Sequence, residues 1–169
     1  MANFKKTEKE LEKFADGVVR AARINLQKSK ASGGLMDSVR HELNVTKRKD
    51  FVSSFSLKFY FDDYGDYLDK GVDGTRKKQN APYSFKKETV APAHQLSMQK
   101  WAKKKGIRAR DSKGKFTNKA SAIRGLSYVL ARSVKRKGIK KTRWFTKAFT
   151  TKYKKFDEVQ RVFALDYAK

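Results

Sequence analysis

An alternation of apolar and polar side chains between residues 51 and 61 constrains the fold more than any other feature of this sequence. Because successive side chains of a strand point to opposite faces, it predicts a strand with one apolar face. A shorter alternation at Leu43 and Val45, followed by a cationic turn at 47–50, predicts an antiparallel partner strand. The apolar face needs cover from helices, and its residues are Phe51, Ser53, Phe55, Leu57, Phe59 and Phe61.

Helical periodicity flanks this hairpin on both sides. Thr7 and Glu10 have the spacing of a capping box, in which a hydroxyl caps backbone donors and a glutamate follows in the first turn. The apolar stripe behind them predicts an N-terminal helix over residues 7–30. The stripe consists of Leu11, Phe14, Ala15, Val18, Ala22 and Leu26. Helices are also predicted over 92–105, 118–137 and 144–165, where Pro92 and Asn118 suit the starts of the first two.

The order of these elements predicts an α+β fold in a single domain over residues 1–169. An N-terminal helix precedes an antiparallel sheet over residues 40–72, which includes a long hairpin and a short extended piece at Tyr67-Leu68. C-terminal helices are expected to pack on the sheet. Segments 75–91 and 106–117 are polar, flanked by glycine and basic, so we expect them to form loops or a projecting arm.

The charge balance points to anionic partners. The chain has 42 Lys and Arg against 17 Asp and Glu, a formal net charge of +25, whereas a small domain needs only about 2–8 to stay soluble. Cations at a helix C-terminus also stabilise the helix, but the basic clusters hold more cations than capping needs. The cations expected to face DNA or a partner are Arg76, Lys77, Lys78, Lys103, Lys104, Lys105, Arg108, Arg110, Lys113, Lys115, Lys135, Arg136, Lys137, Lys140, Lys141 and Arg143.

The sequence predicts no catalytic site, metal site or cofactor. It has no cysteine, and His41 and His94 lie far apart without ligand-like spacing. The acidic stretch 62–73 lacks the central glycine and final glutamate of a calcium loop, and no phosphate-binding loop follows it. Without a signal peptide or a membrane-spanning run, we expect a protein of a reducing compartment with no membrane partner.

Three short segments carry a more specific signal. SGGLMDSVRHELNV (32–45) has a small-Gly-x-Leu-x-x-Ser pattern, and YGDYLDKGVDGTRKK (64–78) places an acid and two glycines after a tyrosine. KGIKKTRWFTKAF (137–149) has Trp144 where a proline would precede the Phe and Ala. Together they resemble the tail-completion or head–tail joining (neck) proteins of tailed phages. The matching residues are Gly34, Leu35, Ser38, Tyr67, Asp69, Gly71, Gly74, Phe145 and Ala148.

The resemblance implies a non-enzymatic virion protein of the phage neck, made in the host cytoplasm. It implies a homo-oligomeric ring, a hexamer or dodecamer, between the portal or connector and the tail-terminator or tail-tube proteins. DNA would pass through the ring and touch it through phosphates, without sequence preference. Two alternatives stay open: a sequence-independent nucleic-acid-binding protein of the packaging or nucleoid type, and a nuclease that uses the acids of 62–73.

Overall fold

The computed structural model describes residues 4–28, 33–48 and 51–168 and has the predicted α+β class. Its helices are α1 (Lys5–Lys28), α2 (Gly33–Ser38), α3 (Tyr64–Lys70), α4 (Pro92–Lys104), α5 (Ala120–Lys137), α6 (Trp144–Tyr153) and α7 (Asp157–Tyr167). Its strands are β1 (Arg40–Arg48), β2 (Phe51–Tyr60), β3 (Val72–Asp73), β4 (Tyr83–Ser84), β5 (Ala109–Arg110), β6 (Phe116–Thr117) and β7 (Gly138–Ile139). The single domain predicted for residues 1–169 divides into two compact units: unit 1 comprises residues 1–69 and 142–169, and unit 2 comprises residues 70–141.

Strands β1 and β2 of unit 1 form the predicted antiparallel hairpin, in which Val45 lies opposite Phe55. The predicted apolar face is confirmed where its side chains are described. The ring centroid of Phe55 lies 6.4 Å from that of Phe163, and the Phe59 centroid lies 5.6 Å from that of Phe145. The side chains of Phe51 and Ser53, residues 49–50 of the turn, and residues 29–30 of the predicted first helix lie outside the described residues.

Helix α1 buries the predicted stripe in unit 1, but the predicted capping box is wrong. The helix begins at Lys5, before Thr7. The Thr7 amide and hydroxyl both donate to the Asp166 carboxylate, at 3.0 and 2.9 Å. The Thr7 amide is therefore accepted by Asp166 of α7, where the capping box predicted Glu10. The buried cluster in which α1 takes part consists of Val19, Ala22, Leu26, Leu35, Val39, Trp144 and Ala148.

Residues 64–70 form helix α3, so the extended piece predicted at Tyr67-Leu68 is wrong. The predicted sheet over 40–72 is likewise interrupted after residue 60. Gly65 and Asp69 are spaced four residues apart, which puts them on the same, buried side of the helix. A Cβ at Gly65 would lie 2.8 Å from the Phe61 side chain. This close approach explains why residue 65 is a glycine.

The predicted helix 144–165 is two helices, α6 and α7, separated by a turn at residues 154–156. The Phe156 amide donates to the Tyr153 carbonyl oxygen at 2.9 Å. Such a bond spans one residue fewer than an α-helical bond, and it tightens the end of α6. The Phe156 ring lies 5.1 Å from the Phe14 ring, centroid to centroid. The break therefore turns Phe156 onto α1.

Unit 2, which is described throughout, combines α4 and α5 with two small sheets. β3 pairs in parallel with β4 and antiparallel with β7, while β5 and β6 form a separate hairpin. Helix α4 begins at Pro92, as predicted, whereas α5 begins at Ala120 because Lys119, not Asn118, is its N-cap. Gly106 and Gly138, which follow the two helices, have φ values of 67° and 76°, a region that glycine adopts without strain.

Candidate nucleic-acid interface

The three motif segments meet inside unit 1, although they lie far apart in the sequence. Leu35 of the first segment is fully buried, and it belongs to the same cluster as Trp144 and Ala148 of the third. Phe145 packs at the edge of this cluster. The second segment contributes α3, since the Trp144 indole Nε1 donates to the Gly65 carbonyl oxygen at 3.0 Å. The segments are thus parts of one core.

Asp69 is the buried acid of the second segment, and it caps helix α6. Its carboxylate accepts the Phe145 amide at 2.7 Å, the Thr146 amide at 3.2 Å and the Thr146 hydroxyl. These are amides of the first turn of α6, which have no partner within the helix. Trp144 is the first residue of α6, a position that also suits proline. The substitution of Trp for Pro therefore falls where both residues are compatible with a helix start.

The other motif residues have distinct environments. Ser38 joins α2 to the start of α3: its hydroxyl donates to the Leu35 carbonyl oxygen at 2.9 Å and accepts the Asp62 amide at 3.1 Å. Gly34 and Tyr67 are exposed.

Gly71 and Gly74 belong to unit 2 and allow close backbone approach. Gly71 has φ +84°, and a Cβ there would lie 2.9 Å from the Ile139 carbonyl oxygen. A Cβ at Gly74 would lie 2.1 Å from the Arg136 carbonyl oxygen. These two glycines let β3 lie directly against the end of α5 and β7.

The basic residues are distributed unevenly between the units. Unit 2 has 22 Lys and Arg against three acids, a formal net charge of +19, while unit 1 has 20 against 14, or +6. All of the cations predicted to face DNA or a partner lie in unit 2 except Arg143, which lies in unit 1 before α6. The cations predicted from the sequence therefore belong almost entirely to the more basic unit, although the sequence did not predict the division into units.

Two of the predicted clusters in unit 2, 76–78 and 135–137, are brought together by backbone hydrogen bonds. The Thr75 amide donates to the Lys135 carbonyl oxygen at 2.9 Å, and the Arg76 amide donates to the Arg136 carbonyl oxygen at 3.1 Å. The loop therefore caps the C-terminus of α5, whose last turn is also basic. The two clusters, which are remote in sequence, therefore lie next to each other.

Glu88 bridges the two clusters. Its carboxylate accepts hydrogen bonds from Arg76 Nε at 2.7 Å and Arg136 Nε at 2.8 Å, and Arg132 Nη2 lies 3.5 Å away. The hydrogen bonds from Arg76 and Arg136 lower the pKa of Glu88 to about 2. We call these four residues the Glu88 clamp. The clamp ties the predicted arm 75–91 back to α5.

Asp73, the second acid of unit 2, shapes the turn after the Arg76–Lys78 cluster. Its carboxylate accepts the Gln79 amide at 2.5 Å and the Ala81 amide at 3.2 Å. These backbone hydrogen bonds, the one from Gln79 first, lower its pKa. Asn80 between them adopts φ 53°. The carboxylate is thus engaged in fixing backbone geometry.

The predicted loop 106–117 contains the β5–β6 hairpin, and we call residues 108–117 the basic hairpin. The third acid of unit 2, Asp111, accepts the amides of Lys113 and Lys115, both at 2.9 Å, and so closes the turn. The guanidinium carbons of Arg108 and Arg110 lie 4.9 and 4.4 Å from the Phe116 ring centroid. The Lys113 and Lys115 residues are exposed.

The remaining predicted cations are exposed at element ends. Lys103 and Lys104 end α4 and Lys105 follows it, while Lys140 and Lys141 follow β7. Sequence reasoning missed Glu88, Arg132 and Phe116. Phe116 had a signal, because it is the one aromatic residue in the polar stretch 108–118; Glu88 and Arg132 had none, because their contacts depend on the fold.

The described residues contain no group of three His, Asp or Glu side chains that could hold a metal ion. Of the acids in stretch 62–73, Asp69 caps α6 and Asp73 closes a turn. No helix among the described residues is long and apolar enough to cross a membrane.

An apolar cleft of about 460 Å³ opens in unit 1 between the hairpin face and three helices. Its lining is Thr7, Leu11, Phe14, Phe55, Leu57, Phe59, Phe149, Tyr153, Phe156, Val159, Gln160 and Phe163.

No family model, curated protein or solved structure matches the chain.

Proposed function

We propose that this chain is a non-enzymatic structural protein of the head–tail connection of a tailed phage, located in the virion neck. The observation that carries the proposal is the convergence of the three motif segments in unit 1. Leu35, Asp69 and Trp144 come from different segments, yet they form one buried arrangement with α6. The buried motif residues therefore share one structural framework, as the parts of a single family pattern would.

In the proposed role, copies of the chain form a hexameric or dodecameric ring between the portal or connector and the tail-terminator or tail-tube proteins. The open apolar cleft of unit 1 supports assembly, because apolar patches on a protein surface commonly mark protein–protein contacts. The +19 of unit 2 supports contact with anions. DNA in the channel would be bound through its phosphates, without sequence preference.

A second candidate is a sequence-independent nucleic-acid-binding protein of the packaging or nucleoid type. The concentration of charge in unit 2 favours it, because a basic surface of this kind can bind a polyanion without any ring. The two candidates differ in what the chain does alone and in the oligomeric state in which it meets DNA.

Electron microscopy and light scattering of the purified chain, with and without duplex DNA, separate the candidates. Closed rings of sixfold or twelvefold symmetry support the neck protein, whereas monomers that coat DNA support the second candidate. A matched pair of variants links assembly to the cleft: Phe156→Asp, which places a charge in the cleft, and Lys154→Asp, which changes an exposed residue nearby. The first should abolish rings and the second should keep them. Rings that survive Phe156→Asp with the fold intact contradict the role given to the cleft.

A further inference from the structure

The basic hairpin presents two arginines and an aromatic ring on one face. Ala109 is buried, so its neighbours Arg108 and Arg110 point outward from β5. Arg110 lies opposite Phe116 in the β5–β6 register, and both guanidinium groups lie over the Phe116 ring. Phe116 is 54% exposed, in spite of its apolar side chain.

These two guanidinium groups differ from those of the Glu88 clamp in having no carboxylate partner. Among the described residues, no acid lies within ion-pair distance of Arg108 or Arg110. The one nearby acid, Asp111, is engaged with the backbone amides of Lys113 and Lys115. The structure thus holds two like charges against one ring and leaves both without a carboxylate partner.

We propose that Phe116 is a positioning residue that holds Arg108 and Arg110 as a preformed pair for the phosphates of duplex DNA. The proposal rests on the DNA contact of the proposed function and specifies the element that makes it. The other cations of the basic hairpin, Lys113 and Lys115, extend the same contact at the turn.

The chemistry of the pair suits a phosphate backbone. A guanidinium group stacked on a ring keeps its N–H donors at the edges, where they can bind phosphate oxygens in pairs. Of the donors of Arg110, one binds the Gly114 carbonyl oxygen at 2.9 Å, which leaves four of the five. A side chain already fixed in its bound geometry loses less conformational entropy on binding. Phe116 therefore raises the affinity without carrying charge.

The test measures binding of the full chain to a short fluorescent duplex by anisotropy over a series of salt concentrations. Phe116→Leu keeps the net charge and removes the ring, and we expect it to weaken binding by about five- to tenfold, given two exposed cation–π contacts. Phe116→Tyr restores a ring and should bind within about twofold of the natural chain. Tyr128→Leu, at an exposed aromatic residue on α5, is the matched control and should leave binding unchanged.

A second measurement tests the arginines themselves. Arg108→Gln with Arg110→Gln should reduce the magnitude of the slope of log K against log salt by roughly 1.8, at ~0.9 for each lost phosphate contact. Circular dichroism and retained exchange protection of the Lys113 and Lys115 amides establish that the hairpin still forms in every variant.

Three results overturn the proposal. The first is binding of DNA by Phe116→Leu that is as tight as that of the natural chain. The second is a full salt slope in the double arginine variant. The third is a preference of the natural chain for polyglutamate over the duplex. The last result assigns the hairpin to an acidic protein surface. If the natural chain forms rings but binds no duplex at any salt concentration, the DNA contact of the proposed function is refuted as well. If the natural chain binds DNA and Phe116→Leu binds it equally well, only the role of Phe116 is refuted.

Discussion

Unit 1 and unit 2 differ in what they bury. Unit 1 encloses large side chains, among them Trp144, Leu26 and Leu35, and its formal net charge is +6, against +19 for unit 2. In unit 2 the buried apolar residues are small: Val72, Ala102, Ala109 and Ala131. Several of its larger apolar side chains are half-buried, among them Phe85, Leu126 and Leu130, and others are exposed, at Leu96, Trp101, Ile107, Phe116, Tyr128 and Val129.

The difference teaches how each unit is stabilised. Burial of large apolar side chains gives unit 1 a core that stabilises it without a partner. Unit 2 has little such burial, and the mutual repulsion of its cations opposes compactness. Its three acids offset part of that cost, each at a backbone turn or an arginine cluster. Unit 2 should therefore gain more than unit 1 from a bound anion, which stabilises whichever state binds it.

The largest expected difference in the free energy of unfolding is between substitutions of the two tryptophans, one of which lies in each unit. Trp144 is 1% exposed and Trp101 is 43% exposed. Trp144→Ala should lower the free energy of unfolding by about 3–5 kcal/mol, through lost burial and the cavity that remains. Trp101→Ala should cost only about 1 kcal/mol, because much of that side chain is already in water. Urea unfolding followed by circular dichroism measures both, and equal losses would contradict the contrast between the cores.

Removal of the Asp69 carboxylate should have the next largest effect on stability. Asp69→Ala leaves the partly buried amides of Phe145 and Thr146 without their cap, and the loss of a helix N-cap costs about 0.5–2 kcal/mol. Asp63→Ala, an exposed acid just before α3, is the matched control and should be nearly neutral. Thermal unfolding of the two variants makes the comparison; equal melting temperatures would argue against the cap.

The Glu88 clamp should give unit 2 a dependence on acid pH. The pKa of Glu88 is about 2 in the folded chain, below its ordinary 4.5. Because this pKa is depressed, the stabilisation that the clamp gives to the folded state is fully present above about pH 4.5. That stabilisation is lost as the pH falls through about 2. The amide exchange rate of segment 75–91, divided by the intrinsic rate at each pH, should rise as the pH falls across this window. Glu88→Gln should exchange rapidly at every pH; if it follows the natural chain instead, the clamp does not hold this segment.

The smallest effect on stability should accompany a large effect on binding. Lys113 and Lys115 are exposed, so Lys113→Glu with Lys115→Glu should leave the melting temperature almost unchanged. Duplex affinity should fall by about tenfold or more, since phosphate contacts dominate such binding. Lys154→Glu with Lys155→Glu makes the same change of charge in unit 1 and should have a much smaller effect. Equal losses from the two pairs would mean that only net charge matters.

The elements that the sequence predicted well are those whose pattern is local and periodic. The face of β2 and the stripe of α1 repeat every two residues or at helical spacing, so burial could be inferred from order alone. Helix α3 was missed because residues 62–66 have the composition of a turn. The contacts that surround Gly65 in this helix include Leu35 and Trp144, which are distant in sequence and meet it only in the tertiary structure.

The candidate site divides in the same way. The basic clusters were visible as runs of Lys and Arg, because charge can be read from composition. Their grouping was not visible, since Glu88 and Arg136 are 48 residues apart in the sequence and meet only when the loop caps α5. The division into two units was hidden for a similar reason: residues 68–69 and 142–143 are hydrogen-bonded neighbours only in the folded chain.

Those last hydrogen bonds have a consequence for how such a protein can evolve. The Thr142 and Arg143 amides donate to the carbonyl oxygens of Leu68 and Asp69, each at 3.0 Å, so unit 1 closes at the point where the chain leaves it and returns. An insertion whose two ends emerge side by side can be lengthened, exchanged or recharged without stretching its host. Residues 70–141 can therefore vary as a cassette: selection can change the charge of unit 2 while the framework of unit 1 stays fixed.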